Sequence, residues 1–69
     1  MRNFYLYHEE HKLVLSGWNT REEAEEELRK AEQEIPEWKG KLVVLPRDHS
    51  KIREYARTHP AFARRERIK

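Results

Sequence analysis

Two short apolar runs, residues 4–7 (Phe-Tyr-Leu-Tyr) and 13–15 (Leu-Val-Leu), flank the polar stretch His8-Glu9-Glu10-His11-Lys12. Side chains alternate between the two faces of a strand, and two such runs around a polar tip read as a β-hairpin. A hairpin commits the chain to a sheet, and a sheet needs something on each apolar face. Pairing across a two-residue turn at Glu9-Glu10, or across a four-residue loop in the same register, sets Tyr7 against Lys12, Leu6 against Leu13, Tyr5 against Val14 and Phe4 against Leu15. Phe4, Leu6, Leu13 and Leu15 then share one face, and a slip of one residue would break that face up. Glu-Glu is a poor type I′ pair, so a longer tip is open.

The strands span residues 3–8 and 12–18, and Gly17 is read as breaking the second. A helix follows. Thr20 and Glu23 have the spacing of a capping box, and Glu22, Glu23, Glu25 and Glu26 crowd its first turns, where the helix dipole favours anions. Ala24, Leu28, Ala31 and Ile35 recur at helical spacing as one thin stripe, and Pro36 ends the helix. Such a stripe can rest on the Phe4/Leu6/Leu13/Leu15 face. Residues 41–45 contain the continuous apolar run Leu42-Val43-Val44-Leu45, a strand covered on both faces. Placing it beside strand one gives the order 2-1-3, preferred here over a parallel position beside strand two. A second helix, capped by Asp48 or Ser50, carries Ile52, Tyr55, Ala56 and His59 at helical spacing and stops at Pro60. Pro60 also suits the first turn of a short further helix, with Phe62 and Ile68 as its large apolar residues.

The expectation is therefore an α+β fold, ββαβα, with a three-stranded sheet. Helix one covers one face, and a second helix plus a basic C-terminal segment completes the chain. Residues 1–59 are read as a single small domain. Residues 60–69 are read as a basic segment, either a short helix or a frayed tail. Sixty-nine residues bury a modest core. There is no Cys, hence no disulfide and no thiolate metal site, and no run reaches the length of a membrane span or a signal segment. These features point to a cytoplasmic protein. Charged residues make up 41% of the chain, against about 25% in ordinary domains. Thermophile proteins rich in ion-pair networks share that composition, as does a very soluble mesophile protein.

The net charge of +2 hides an asymmetry: seven Lys/Arg stand against ten Glu in residues 1–46, and eight against three acids in residues 47–69. A basic tail points to an anionic partner. Arg53, Arg57, Arg64, Arg65, Arg67 and Lys69 are the candidate phosphate contacts. The competing reading is a solvated face whose ion pairs go to Glu25, Glu26 or Glu54.

The second sheet face would carry Tyr5, Tyr7, Val14 and an alternate pair from strand three, Val43 and Leu45, with Trp18 added if strand two is regular. Three covers compete for it. Helix two could pack there with Ile52, Tyr55 and Ala56, Phe62 closing the edge. A protein partner or a second copy could dock on Tyr5, Tyr7, Val14 and Val43, as a small regulatory, viral or accessory module would. Or nucleic acid could stack on Tyr5 and Tyr7, although no RNP1-type pattern accompanies them.

Other motifs carry less. His8-Glu9-Glu10-His11 is one residue short of the H-E-x-x-H zinc motif and lies on a hairpin rather than a helix, so no metal is expected. The glutamates of helix one pair with Arg29 and Lys30 at i,i+4 spacing, the pattern of an ordinary solvated face. Asp48, His49 and His59 are acid–base residue types without a third group, and the two glycines form no phosphate loop. No cofactor and no small-molecule substrate is indicated. The sequence reads as a non-enzymatic binding module with nucleic acid as its first candidate partner.

Overall fold

The computed structural model describes residues 2–68. Three strands, β1 (Phe4–His8), β2 (Leu13–Trp18) and β3 (Leu42–Pro46), form one antiparallel sheet in the order β2-β1-β3. Helix α1 (Arg21–Glu34) and a single 3-10 turn (Pro36–Trp38) connect β2 to β3, and helices α2 (Ser50–Thr58) and α3 (Pro60–Glu66) follow. Among the described residues, no helix is long and apolar enough to cross a membrane.

The α+β fold and the strand order are those expected, but the hairpin register is not. Tyr7 lies opposite Val14 while Leu6 lies opposite Ser16, so Leu15 is the extra residue of a bulge. Beyond it, Tyr5 faces Gly17 and Phe4 faces Trp18. The tip holds four residues, closed by Lys12 at φ 55°. Three departures from expectation follow along β2. Leu13 and Leu15, expected in the core, are 40% and 36% exposed. Trp18 moves to the face of Phe4, where its indole Nε1 donates to Ser16 Oγ at 2.8 Å. Gly17 does not break β2 but stays within it. A Cβ there would lie 2.6 Å from Arg2 Cδ and 3.0 Å from the Tyr5 ring, so the missing side chain lets Arg2 lie across the strand.

Helix α1 begins as its capping box dictates. The Glu23 N–H donates to Thr20 Oγ1 at 3.2 Å, and the Thr20 N–H donates to Glu23 Oε1 at 3.1 Å. Its stripe rests on the Phe4/Leu6 face, but only Ala24 is fully buried. Gly40 takes φ 81°, the left-handed region that glycine enters without a Cβ penalty, and its N–H donates to Glu32 Oε2 at 3.0 Å. Helix α2 is capped by neither Asp48 nor Ser50. His49 takes that place, its Nδ1 accepting from the Lys51 N–H at 3.1 Å.

The main core lies on the other face. Tyr5, Tyr7, Leu45, Ile52, Ala56 and Phe62 form one buried cluster, with Val14, Val43, Tyr55, Ala63 and Ile68 packed against it. Strand β3 contributes through the pairs Tyr7–Val43 and Tyr5–Leu45. Phe62 meets the rings of Tyr5 and Tyr55 edge-on, at 5.5 and 5.0 Å between centroids. Such pairs add about 0.5–1.5 kcal/mol each beyond area burial. Helix α3 thus packs into the main core through Phe62.

Candidate functional site: an arginine cluster around Glu66

Glu66 sits in the most basic stretch of the chain, yet only 8% of it is exposed. A buried carboxylate must find partners or give up its charge. This one finds several. Its Oε1 accepts from the Tyr5 hydroxyl at 3.0 Å, and its Oε2 takes both Arg2 Nη1 and Arg65 Nε at 3.3 Å. Arg47 donates to the Tyr5 hydroxyl at 3.1 Å, to the Arg2 carbonyl at 3.1 Å and to the Glu66 carbonyl. Burial, then the hydrogen bond to Glu66, pushes the Tyr5 phenol up to about 12, so it stays a donor across the physiological range.

The local sequence explains this arrangement. Strand β1 aims Tyr5 at α3. Gly17 leaves room for Arg2 above that ring. Arg67, at φ 57°, ends α3 directly after Glu66. Arg65 lies over the Phe62 ring at 6.0 Å, a cation–π contact that supports its stem.

Five guanidinium groups stand against two carboxylates, Glu66 and Asp48. Arg2, Arg65 and Arg67 line one groove with Glu66. Arg67 also lines the next groove, with Arg47, Asp48, Arg53 and Ile68. Of the residues expected from sequence, Arg53, Arg65 and Arg67 are therefore brought together. Arg57 and Arg64 are exposed and line neither groove. Lys69 lies outside the described residues. Among the described residues, the tail does not pair with Glu25, Glu26 or Glu54. Its ion pairs run from Arg65 to its own Glu66 and from Lys51 to Glu9, while Glu26 pairs with Lys30.

Arg2 and Arg47 are the residues that sequence reasoning missed. Arg2 lies outside the basic segment and Arg47 is its first residue, and only tertiary folding brings the two together at Glu66. The signal that could have found Arg47 is its place directly after a strand-ending proline, at the edge where β3 meets the C-terminal helices.

Of the three covers weighed for the aromatic sheet face, the internal one is found, and the roles of Tyr5 and Tyr7 as base platform or partner surface are corrected. Tyr5 and Tyr7 are 1% and 5% exposed, sealed under α2 and α3 by Ile52, Ala56 and Phe62. They offer no open platform for bases and no open surface for a partner. Val14 and Val43, expected with them at an interface, are packed against the same cluster.

At the hairpin tip, His8 is 1% exposed and its Nδ1 accepts the His11 N–H at 3.2 Å, while Nε2 has no partner among the described residues. Its ring lies 4.3 Å from that of His11 and edge-on to Trp38 at 5.1 Å. Among the described residues, no three His, Cys, Asp or Glu side chains gather as a metal site would need. Compared with known protein families, curated proteins and solved structures, the chain matches none.

Proposed function

We propose that the protein is a small, non-enzymatic nucleic-acid-binding module that grips phosphates with the arginines around the end of α3. One observation carries this reading: Arg2, Arg47, Arg53, Arg65 and Arg67, from four parts of the chain, line two adjoining grooves that share Arg67. Structural ion pairing needs one cation per acid, and this end of the molecule holds more. Arginine forks fit phosphate oxygens bidentately, and contacts of this kind supply affinity without reading sequence. A chain without cysteine suits the reducing cytoplasm in which such a partner is met.

The test is fluorescence anisotropy of labelled single-stranded and duplex oligonucleotides at two salt concentrations. Binding should weaken steeply with salt. The double variant Arg53→Ala, Arg67→Gly should flatten the log–log slope by about 0.7 for every single-strand phosphate that the arginines no longer neutralise. Glycine is chosen at position 67 because the backbone there is left-handed. Absence of binding at low salt would sink the proposal.

A second reading rests on a separate observation. Among the described residues, Leu13 and Leu15 are the large exposed hydrophobic residues, both on the edge strand β2. An exposed apolar edge is a pairing surface for another chain, so a protein partner or a second copy would meet β2 rather than the tyrosine face.

A further inference from the structure

The arginine track does not stop at Glu66. A third groove, of about 530 Å3, runs on between β2 and the C-terminal helices and shares Arg2, Arg65 and Glu66 with the first. Its lining is mixed: Val14, Leu15, Tyr55 and Phe62 add aliphatic and aromatic groups to the polar Arg2, Ser16, Arg65 and Glu66. Its volume lies within the range of small-ligand sites, roughly 300–1,000 Å3. Two features shape it. The bulge takes Leu15 out of the pairing register and leaves it exposed beside the groove. Gly17, also lining it, admits the stem of Arg2 to the rim.

We propose that this groove receives one unstacked base of a single-stranded nucleic acid, whose phosphates lie on the arginine track. The inference rests on the nucleic-acid reading above and adds to it the kind of strand. A groove that sets aromatic and aliphatic groups beside Arg2 and Arg65 matches a nucleotide, which joins a flat ring with polar edges to an anionic group. The track continues through Arg67 to Arg53 in the far groove, so it offers contacts to several phosphates in a row. A lone mononucleotide would leave most of it unused. In a duplex the bases are stacked and paired, and none can enter without being flipped out. The acid at the junction does not repel the ligand freely, because Glu66 already accepts from Tyr5, Arg2 and Arg65.

The experiment compares three probes of equal length against the intact protein: oligothymidylate, the same backbone without bases, and a duplex. Oligothymidylate should bind about tenfold tighter than either of the others, the scale of one base stacked in an apolar site. Leu15→Ser should erase that preference and leave abasic-strand and duplex affinity unchanged. Leu15→Phe should raise it. Leu15 is exposed, and unchanged far-UV circular dichroism and melting of both variants would show that the fold is intact. Equal, salt-sensitive binding of all three probes would overturn the base site and leave the nucleic-acid reading standing. No binding of any probe would overturn both. Self-association abolished by Leu15→Ser, without nucleic-acid binding, would assign the groove to a second copy instead.

Discussion

The two faces of one strand are closed in different ways. On one side of β1, Tyr5 and Tyr7 disappear under Ile52, Ala56 and Phe62, supplied by α2 and α3. On the other side, Leu6 and His8 are buried but Phe4 is only half-buried, and α1 contributes a single fully buried residue, Ala24. The tyrosine face is locked by large side chains and a polar network. The α1 face is covered by a thin helix and shielded partly by charged stems, such as Arg21 at 4.9 Å over the Phe4 ring. The contrast teaches where this small domain gets its stability, and where it can spare residues for a partner.

The sharpest way to break that contrast is to cut both faces equally. Ile52, 0% exposed, should lose about 2–5 kcal/mol as Ile52→Ala. Leu28→Ala on the half-buried stripe of α1 should lose clearly less in the same urea titration. Equal losses would mean that the α1 face bears as much of the stability.

Next comes the network. Tyr5→Phe removes the hydroxyl that Glu66 accepts and leaves the carboxylate with Arg2 and Arg65, at a cost of about 2 kcal/mol. The variant should also change the alkaline limb of stability. The Tyr5 pKa is raised from 10 to about 12 by folding, so the unfolded chain ionises first. Its contribution is complete below pH 10 and is lost as pH rises towards 12. Melting curves over that window should fall more steeply for the wild type than for Tyr5→Phe. Parallel curves would show that the phenol is not linked to folding.

On the α1 face, Thr20→Ala should cost about 1 kcal/mol by removing the cap, read from the same urea titration. The smallest effect belongs to Lys41→Ala. It removes the 2.8 Å ion pair to Glu10, whose carboxyl is held below its usual value by the lysine's hydrogen bond and charge. Both partners are exposed, and the melting temperature should not move measurably.

Much of this architecture is legible in the chain, and the illegible parts have physical causes. Alternation around residues 9–12, the Thr20/Glu23 box and the prolines at 36, 46 and 60 mark the elements. The continuous run in β3 shows a strand at work on two faces, and its pairing to Tyr5 and Tyr7 follows. The bulge is not legible, because Leu-Val-Leu-Ser-Gly-Trp suits either register and one extra residue costs the pattern nothing. That hidden residue moved Trp18 across the sheet and took Leu15 out of the pairing register. The His49 cap escaped notice because better capping residues flank it. Glu66 was invisible as a hub, since a lone acid among arginines reads as solvated charge until Tyr5 is seen beside it.

The Arg2–Glu66 contact joins residues sixty-four positions apart, and this places the closing of the tyrosine face late in time. Long-range contacts wait on loop closure. In chain order the three strands and α1 come first, and the helices that supply the cover of Tyr5 and Tyr7 follow. The aromatic face that the first strand offers is thus shut only by α2 and α3, through Ile52, Ala56 and Phe62.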